Sequence, residues 1–592
     1  MRLDTNALFN GGFEEGTRGW RLPAGAQVLA EEAQEGRKCL RIASDTPAYV
    51  MASQAFYLPE GVRRVRLSGW MRTQGVKPGA QPWERARLQL VFSDQSGEPT
   101  YPPSVSLEGT TPWRHYQQEH DVPEGTAIIT VLLGLHQASG VVWYDDLRLE
   151  LLDSQHHPLP ATKKEQTTDT RYWYAVQSDA EDQRQTLVVD LSRYLHRPAG
   201  KHGFVTVRGG RLTFQDGTPA RFWGVNIGGG FMFAEKPVME RMVARMARNG
   251  YNMARLHHMD AGWAVPNIFG NHPTSTRRLS KEMLDRVDYF IYLCKNYGIY
   301  IYMDLLTHRK FLQDDGVRDW EVLPYAAKVA AHYHRRLIEL QKQYAHDLLT
   351  HRNPYTGTRY VDEPALALME IINESSLFWL AGWRQLPPSY IEEADQMFSE
   401  WCQGRGVARP AGSVPDLLAA KNPTVARFLY EIQTKYYTET RDYLRSIGVK
   451  VPITGSQWPV CLGDWLSNAH LDYIDCHFYW EHPHGGYRPS DLFDNRPMVR
   501  YPERSSIASV APLRFAGKPL VLSEWNHCWM NEWMSEAPLL MAAYGSLQGW
   551  DGMLQFTYAG TEWGERMTDV FNVGTKPHWT AANIPAALVF HR

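Results

Sequence analysis

Two glutamates stand at the ends of apolar stretches that are typical of buried strands. Glu374 closes the segment LALMEIINE and Glu524 closes the segment KPLVLSE. Cleavage of a glycosidic bond requires one carboxylic acid that protonates the leaving oxygen and one carboxylate that attacks the anomeric carbon. A strand-end glutamate can also cap a helix or pair with an arginine, so either residue alone is weak evidence. Together they indicate paired-carboxylate chemistry, provided that the fold brings them to one cleft.

The second part of the chain predicts a parallel barrel that would do so. It alternates β-type segments with segments of helical periodicity such as 238–249 and 424–446, which is the pattern of repeated βα units. Eight candidate strands can be counted, the number that closes a (β/α)8 TIM barrel: 221–226, 252–257, 299–305, 366–373, 451–455, 472–479, 518–524 and 552–558. The carboxyl ends of barrel strands share one face, so Glu374 on strand four and Glu524 on strand seven would meet there.

Two additions accompany the predicted barrel. A pair of short strands, 204–207 and 211–214, precedes it and is joined through two glycines. A long insertion, 375–422, follows strand four, and we expect it to wall the cleft because loops at that face build the active site.

The first part of the chain predicts an all-β domain. Short β-type runs divided by Gly, Pro and Asp turns occur at 49–51, 65–70, 86–92 and 127–133, which favours a jelly roll or β-sandwich. A polar stretch at 153–182 has the composition of a linker. The predicted fold is therefore multidomain, with a β-jelly roll at 1–152, a linker and lead-in segment at 153–200, and the barrel at 201–592.

Composition excludes several classes of protein. The net charge of −3 comes without a long basic stripe, so nucleic acid is not an expected partner. No run of about 18 apolar residues offers a membrane span. The six cysteines lack the spacing of a zinc site. The 21 tryptophans are abundant, and indoles either fill cores or stack on sugar rings.

The pair Asn373-Glu374 on strand four and Glu524 on strand seven resembles clan A glycoside hydrolases, most closely glycoside hydrolase family 5, over about 204–592. The resemblance implies a retaining β-glycosidase that acts on a β-linked oligo- or polysaccharide. Glu374 would be the acid/base and Glu524 the nucleophile, about 5–5.5 Å apart rather than the roughly 6.5–9.5 Å of inverting enzymes. Asn373 would hold the sugar 2-hydroxyl.

Supporting positions of that family match as well. They are an arginine on strand two, a histidine near strand three and a His-x-Tyr on strand six: Arg255, His308, His477 and Tyr479. By this resemblance Arg255 and Tyr479 would hydrogen-bond Glu524 and keep it charged. Glu374, in a less charge-stabilising setting, could stay protonated as the acid.

Aromatic residues near the strand ends extend the predicted site. Trp480 and Trp525 are the preferred candidates for stacking on sugars, and His257 or His258 would line the sugar site. Strand eight of family 5 usually delivers a tryptophan, whereas this strand reads LQFTY. That departure leaves open another clan A family or an outlying branch of family 5.

Two alternatives to a retaining glycosidase remain open. One is a non-catalytic glycan-binding protein with a degenerate barrel. The other is a metal-dependent hydrolase that uses His257, His258, His482 or His484, although the chain lacks the H-E-x-x-H frame. The favoured interpretation needs no cofactor for catalysis.

The segments NGGFEE at 10–15 and VWYDDL at 142–147 resemble the jelly-roll carbohydrate-binding modules of families 4, 9 and 22. Those modules often hold a structural calcium ion, and Glu14 and Asp146 are the matching acidic positions. A jelly roll that binds neither sugar nor ion is an equal alternative. The expected partner is a carbohydrate, and the oligomeric state is left open. A binding module favours a secreted or periplasmic protein, whereas the first residues lack a signal peptide's apolar run, as in a cytoplasmic one.

Overall fold

The computed structural model describes most of the chain, in two compact units. The described residues are 5–23, 25–59, 61–94, 98–159, 190–458, 460–483, 494–529, 531–558, 570–574 and 576–592. The first unit contains those up to 159 and the second contains those from 190 onward. The predicted domain limits stay predictions, because the linker falls largely outside the described residues.

The first unit is all-β and antiparallel, as predicted. Residues alternate between core and surface where one face of a strand is covered; at 64–67, for example, Val65 and Leu67 are fully buried, whereas Arg64 and Arg66 are partly exposed. The strands are β1 (Ala26–Leu29), β2 (Cys39–Tyr57), β3 (Arg64–Lys77), β4 (Ala86–Asp94), β5 (Pro99–Thr100), β6 (Val105–Leu107), β7 (Gly109–Asp121) and β8 (Thr126–Leu152). The order is β1-β2-β8-β3-β7, and β4 joins β8 to β5 and β6. The long strands β2 and β8 run through both halves of this sheet.

A short hairpin opens the second unit. Strands β9 (Val205–Arg208) and β10 (Arg211–Phe214) pair antiparallel through the two-residue turn Gly209-Gly210. Both glycines have positive φ, 58° and 74°, which a tight turn of this kind requires at both positions. The predicted lead-in strand pair is confirmed.

Eight parallel strands then form the barrel, in the order β15-β14-β13-β12-β11-β18-β17-β16. They are β11 (Phe222–Ile227), β12 (Met253–Leu256), β13 (Tyr300–Leu306), β14 (Leu366–Ile372), β15 (Ile453–Thr454), β16 (Ile474–Trp480), β17 (Leu520–His527) and β18 (Gly552–Gln555). The backbone N–H of Asp472, just before β16, donates to the carbonyl of Ile453 on β15 at 3.0 Å. This hydrogen bond joins the two ends of the strand order and closes the barrel. All eight predicted strands are confirmed, and with them the (β/α)8 fold class.

Helices follow most of the strands, and several of them pack one apolar stripe on the barrel. On α1, for example, Met239, Met242 and Met246 share the buried face. The helices are α1 (Lys236–Arg248), α2 (Lys281–Tyr297), α3 (Arg335–Leu349), α4 (Leu380–Trp383), α5 (Pro388–Gly404), α6 (Val414–Ala419), α7 (Pro423–Ser446), α8 (Leu462–Asn468), α9 (Ser506–Val510), α10 (Ala537–Leu547) and α11 (Pro577–His591). Among the described helices, none is both long and apolar enough to cross a membrane.

The loops after β13 and β14 form a body with its own hydrophobic core. Val329 and Leu323 from the first loop pack with Trp383, Tyr390 and Phe398 from the insertion at 375–422. Since both loops leave the carboxyl ends of their strands, this body stands on the face where the predicted site lies.

Candidate active site

Glu524 is a buried carboxylate on β17 that contacts three side chains from neighbouring strands. Nη1 of Arg255, on β12, donates to its Oε1 at 2.5 Å, and the hydroxyl of Tyr479, on β16, donates to its Oε2 at 2.6 Å. Nε2 of His257, directly after β12, lies 3.3 Å from Oε1. Donors of this kind stabilise a carboxylate over a carboxylic acid. The arrangement suits a nucleophile.

Arg255 organises the layer of carboxylates beneath the cleft. Its guanidinium is fully buried and donates to Asp304 at 2.9 Å, to Glu370 at 2.7 Å and to Asn373 at 3.0 Å, besides Glu524. Burial alone would lower the pKa of Arg255, but the three carboxylates around it raise that pKa well above its ordinary value. Arg255 is therefore a permanent cation, and it links Asn373 of strand four to Glu524.

The carboxyl groups below Arg255 have raised pKa values. Burial raises the pKa of Asp304 and that of Glu370, and the charge of Asp304 raises that of Glu370 further, whereas Arg255 acts to lower both. A protonated Asp304 can donate to Nδ1 of His257, with which it shares a hydrogen bond. Burial also lowers the pKa of His257, which keeps that ring neutral. The tautomer that results presents an Nε2–H to Glu524.

Glu374 follows β14 directly and is fixed by a glutamine from the next loop. Oε1 of Gln457 accepts from the backbone N–H of Glu374 at 2.9 Å, and Nε2 of Gln457 donates to Asn373 Oδ1 at 2.9 Å. The φ of Glu374 is 42°, a left-handed conformation that costs a residue with a Cβ on the order of 1–3 kcal/mol and is frequent at active sites. Its side chain stays 36% exposed.

His477, on β16, bridges the two glutamates. Its Nδ1 lies 2.9 Å from Oε1 of Glu374 and 3.5 Å from Oε2 of Glu524, and its Nε2 lies 3.0 Å from Oγ of Ser523. Burial alone would raise the pKa of Glu374. The hydrogen bond with His477 and the charge of that ring outweigh this effect and lower the pKa of Glu374, and the charge of Lys328 also lowers it. Burial alone would lower the pKa of His477, but the carboxylates of Glu524 and Glu374 raise it above its ordinary value.

This finding differs from the expectation that the surroundings of Glu374 stabilise charge less than those of Glu524. The ring of His477 stands against Glu374, so the pair shares one proton and Glu374 is ionised in the ligand-free site. His477 was predicted as a site residue, but without a contact to Glu374.

The structure brings both glutamates to one point. An oxygen of Glu374, an oxygen of Glu524 and a ring nitrogen of His477 lie within 4.8 Å of one another. The predicted supporting residues around this point are Asn373, Arg255, His477 and Tyr479.

Next to the glutamates stands an aromatic wall, formed by His258, Trp263, His308 and Tyr325. The rings of His258 and His308 stack at a centroid distance of 4.9 Å, and Nε1 of Trp263 donates to Nδ1 of His308 at 3.2 Å. Burial lowers the pKa of His258, and it lowers that of His308 to about 3, so both rings are neutral. Trp263 is 45% exposed and Tyr325 43%. The wall thus offers uncharged aromatic faces beside the carboxylates.

The structure does not bring Trp480 and Trp525 to the site. Trp525 is 1% exposed and packs between Trp223 and Trp579, with centroids 5.6 and 5.8 Å away. Trp480 is 6% exposed and donates to the carbonyl of Arg496 at 2.9 Å. Alternate residues of a barrel strand point inward and outward, and these two positions point into the packing between strands and helices.

Four residues of the site were missed by the sequence analysis: Trp263, Lys328, Gln457 and Phe556. Phe556 had a signal, since it is the aromatic residue at the end of strand eight, where a tryptophan was sought. Its ring lies 5.8 Å from that of His257 and 6.1 Å from that of Tyr479. The other three lie in irregular loops, where hydrophobic periodicity says nothing about direction.

Among the described residues, one group of three side chains is close enough together to hold a metal ion: Glu374, His477 and Glu524. Glu374 and His477 already share a hydrogen bond, and Glu524 accepts one from Arg255, whose positive charge would repel a metal ion. The alternative set of histidines does not form such a group among the described residues: Nδ1 of His482 lies 3.0 Å from the carbonyl of Pro483, and His484 lies outside the described residues.

In the first unit, the two predicted calcium positions make protein contacts. Oε1 of Glu14 accepts from the backbone N–H groups of Arg37 and Lys38 at 2.6 and 3.0 Å. The carboxylate of Asp146 lies 3.3 Å from Nη2 of Arg148. A calcium ion held by Glu14 and Asp146 stays a prediction.

Comparison with known proteins gives the following likenesses. No family model matches the chain. A curated protein of Bacillus subtilis (strain 168), the uncharacterized HTH-type transcriptional regulator YbfP, is 35% identical over 107 residues; the match covers 17% of this chain and 32%, about a third, of that protein. Among solved structures, the endo-1,4-beta-mannanase from Rhizomucor miehei is similar with a TM-score of 0.45 at 15% identity, covering 66% of this chain and 100% of that one. The endo-beta-1,4-mannanase from Thermotoga petrophila gives 0.43 at 17% identity, covering 63% and 77%.

Proposed function

We propose that this chain is a retaining β-glycoside hydrolase, with Glu524 as nucleophile and Glu374 as acid/base. The observation that carries the proposal is the meeting of two strand-end glutamates whose carboxylate oxygens lie within 4.8 Å of each other at the carboxyl face of a barrel. One oxygen of each carboxylate within this distance supports the separation of roughly 5–5.5 Å of retaining enzymes over the roughly 6.5–9.5 Å of inverting ones.

In the first step, the carboxylate of Glu524 attacks the anomeric carbon and forms a covalent glycosyl ester. The bond between that carbon and the leaving oxygen breaks, and the leaving oxygen takes the proton that Glu374 and His477 share. Arg255 and Tyr479 hold Glu524 in place for the attack. Asn373, oriented by Arg255 and Gln457, is placed to bind the sugar's 2-hydroxyl.

In the second step, a water molecule enters on the side of Glu374. It gives one proton to the Glu374–His477 pair, and its oxygen bonds to the anomeric carbon while the ester to Glu524 breaks. The second inversion restores the original anomeric configuration. Both glutamates then return to their starting protonation states.

The surroundings of the pair support a carbohydrate substrate. Exposed aromatic rings of the aromatic wall offer the flat apolar faces on which sugar rings stack. On the loops after β14 and β15, the partly exposed rings of Trp379 and Trp458 pair at a centroid distance of 4.8 Å and offer further aromatic surface. A β-linked oligo- or polysaccharide is the substrate class that such a cleft suits.

The proposal is tested by hydrolysis of aryl β-glycosides and of β-glucan, β-mannan, β-xylan and β-galactan. The enzymes compared are the wild type, Glu374→Ala, Glu524→Ala and, as a matched control, Glu392→Ala on the exposed side of α5. Both site variants should lose activity while the control keeps it. Added azide should then give an α-glycosyl azide with Glu524→Ala and a β-glycosyl azide with Glu374→Ala, because azide replaces the nucleophile in one and water in the other.

Contrary outcomes are distinct. Activity that survives either substitution would mean that the wrong carboxylate has been assigned. Sugar binding without turnover by a well-folded wild type would favour the alternative of a non-catalytic glycan-binding protein with a degenerate barrel.

A further inference from the structure

A buried serine contacts the histidine of the acid/base pair from the side opposite Glu374. Ser523, on β17, is fully buried, and its Oγ lies 3.0 Å from Nε2 of His477. The other ring nitrogen, Nδ1, faces Oε1 of Glu374 at 2.9 Å. A serine hydroxyl can donate one hydrogen bond and accept two, so Ser523 can influence which nitrogen of the ring carries a proton. Ser523 takes no part in the two steps of hydrolysis described above.

An irregularity of the barrel sheet brings Ser523 to His477. Between β16 and β17, the successive pairs are Cys476–Leu522 and His477–Glu524. Ser523 is therefore an extra residue on β17, as in a β-bulge, a feature that redirects side chains beside active sites. The contact between Ser523 and His477 is thus built into the register of the two strands.

The backbone of Ser523 is fixed on both sides. Its N–H donates to Oδ1 of Asp475, on β16, at 3.1 Å, and its carbonyl accepts from Nδ2 of Asn226, on β11, at 2.8 Å. All three residues are buried. Hydrogen bonds to two other strands therefore determine where the serine hydroxyl stands relative to the ring of His477.

Asp475 offers an acceptor to the hydroxyl of Ser523. Its Oδ2 accepts from the hydroxyl of Tyr302 at 2.5 Å, and its Oδ1 accepts from the backbone N–H of Ser523. Burial raises the pKa of Asp475, whereas the charges of His477 and Arg255 and hydrogen bonds from the side chains of Tyr302 and Ser523 act to lower it. Such donors favour the carboxylate, which accepts hydrogen bonds and donates none.

Two orientations of the serine hydroxyl are compatible with its contact to the ring. If Oγ donates to Nε2, a neutral His477 carries its only proton on Nδ1, and passing that proton to Glu374 would leave an anionic ring. If Oγ accepts from an Nε2–H, the ring can give up its Nδ1 proton and become neutral. The second orientation also directs the hydroxyl proton of Ser523 toward Asp475, so it satisfies both neighbours of the hydroxyl.

The two ring nitrogens of His477 have different surroundings. The titratable and charged groups around the ring are Glu374, Glu524, Arg255, Asp475 and His257. Burial lowers the pKa of the ring, the carboxylates of Glu524 and Glu374 raise it, and the charge of Arg255 lowers it. Both of these carboxylates approach Nδ1, at 2.9 and 3.5 Å, whereas Nε2 contacts Ser523. A change at Ser523 therefore acts on the ring from the Nε2 side.

We propose that Ser523, backed by Asp475, is a positioning residue for the acid/base: its hydroxyl holds one proton on Nε2 of His477, so that a second proton lies between Nδ1 and Glu374. In the first step of hydrolysis this second proton passes to the leaving oxygen, which leaves a neutral His477 with its Nε2–H and an ionised Glu374. The water of the second step returns one proton to the same place. This inference rests on the proposed function. Protonation of the leaving group depends on Ser523, whereas attack by Glu524 does not.

The test separates protonation of the leaving group from nucleophilic attack. Two β-glycosides of the same sugar are compared: a dinitrophenyl glycoside, whose leaving group departs without a proton, and a phenyl glycoside, whose leaving oxygen needs one. The enzymes are the wild type, Ser523→Ala, which removes only the hydroxyl, Ser523→Thr, which keeps it, and Asp475→Asn. Ser467→Ala, on α8, removes another buried hydroxyl and serves as control. The Tm of each variant is measured, and Asp475→Asn carries the comparison if Ser523→Ala is unstable.

We expect Ser523→Ala to lose about 10- to 100-fold in kcat/KM on the phenyl glycoside, the value of a hydrogen bond to a charged group, and less than about threefold on the dinitrophenyl glycoside. Asp475→Asn should show the same pattern with a smaller loss, and Ser523→Thr should keep most of the activity. Because the protonated ring loses its acceptor at Nε2, the high-pH limb of kcat/KM on the phenyl glycoside should move down by about one pH unit in Ser523→Ala.

A measurement on the ligand-free protein does not require hydrolysis. The pKa of His477 can be followed by NMR in protein labelled with 15N-histidine, and its signal is identified by its absence in His477→Gln. Ser523→Ala should lower this pKa by about one unit, for the same reason as the shift of the pH profile.

Several results would overturn the inference. An equal loss on both glycosides in Ser523→Ala, or a ring pKa and a pH profile that do not move, would do so while the glycosidase proposal stands. A high-pH limb that moves upward would mean that the hydroxyl donates to Nε2, and it would overturn the inference as well. A protein that hydrolyses nothing but shows the lowered ring pKa in Ser523→Ala would support the effect of Ser523 on His477 while the glycosidase proposal fails.

Discussion

Replacing Arg255 by methionine tests the charge arrangement on which the site depends. The substitution keeps an unbranched chain of similar length but removes the one cation bonded to Asp304, Glu370 and Glu524. Breaking a buried ion pair in this way costs about 3–5 kcal/mol, because it leaves an uncompensated buried charge. With an unfolding entropy of about 2.1 cal/mol/K per residue and a unit of about 400 residues, the Tm of the barrel unit should fall by roughly 4–6 °C.

The loss should depend on pH in a definite direction. Without Arg255, the pKa values of the stranded carboxyl groups rise further in the folded protein, while in the unfolded chain they stay at about 4. The folded state then binds more protons than the unfolded state above about pH 4. Stability of the variant therefore falls as pH rises, and its deficit against the wild type should be larger at pH 8 than at pH 5.

Differential scanning calorimetry of both proteins from pH 5 to pH 8 measures these quantities. The exposed Arg427→Met on α7 is the control, since a surface ion pair contributes only about 0–1 kcal/mol. The double variant Arg255→Met/Glu370→Gln removes one stranded charge and should recover part of the loss. A Tm shift below about 2 °C, or one that is the same at every pH, would refute the reasoning.

Three further predictions concern the site and the core. Tyr479→Phe removes the hydroxyl that donates to Glu524, so kcat/KM should fall about 10- to 100-fold with an unchanged Tm; full activity would show that this hydrogen bond does not help the nucleophile. Trp263→Ala should raise KM about tenfold at constant Tm, since the ring is largely exposed; an unchanged KM would remove it from the sugar site. Burial lowers the pKa of His332 and of His527 to about 3, whereas the unfolded value is about 6.5. Below pH 6.5 the unfolded state therefore binds protons that the folded state does not. At pH 5 each of the two histidines lowers the free energy of unfolding by about 2 kcal/mol, and His527→Leu should therefore reduce the fall of Tm between pH 7 and pH 5.

The barrel could be predicted from the sequence because its strands are apolar on both faces. Segments such as 299–305 and 366–373 read as continuous β-type runs, and in the structure every residue of β13 and β14 is buried. The antiparallel unit was predictable for a different reason, since alternation such as that at the start of β3 marks one buried face. Helix and strand periods carry this information in the sequence alone.

The site could be predicted only where a residue type is rare at its position. Two glutamates and an arginine at the ends of apolar strands stand out, and all three converge in the structure. Trp480 and Trp525 were misplaced because a tryptophan near a strand end suits either side of the strand, and their direction depends on register. Gln457 could not be found, because it lies in an irregular loop whose sequence has no periodic pattern.

The partners of the two glutamates also explain why we propose different roles for them. Glu524 receives hydrogen bonds from Arg255 and Tyr479, both with pKa values raised well above the ordinary range, so neither can release a proton near neutral pH. Glu374 instead faces His477, whose ring has an ordinary pKa of about 6.5 that the two carboxylates raise. A proton can thus leave and return on the side of Glu374 but not on the side of Glu524. A general acid needs a proton that can be transferred and a nucleophile needs a charge that is not neutralised, so the same cluster of donors assigns each glutamate to its own step.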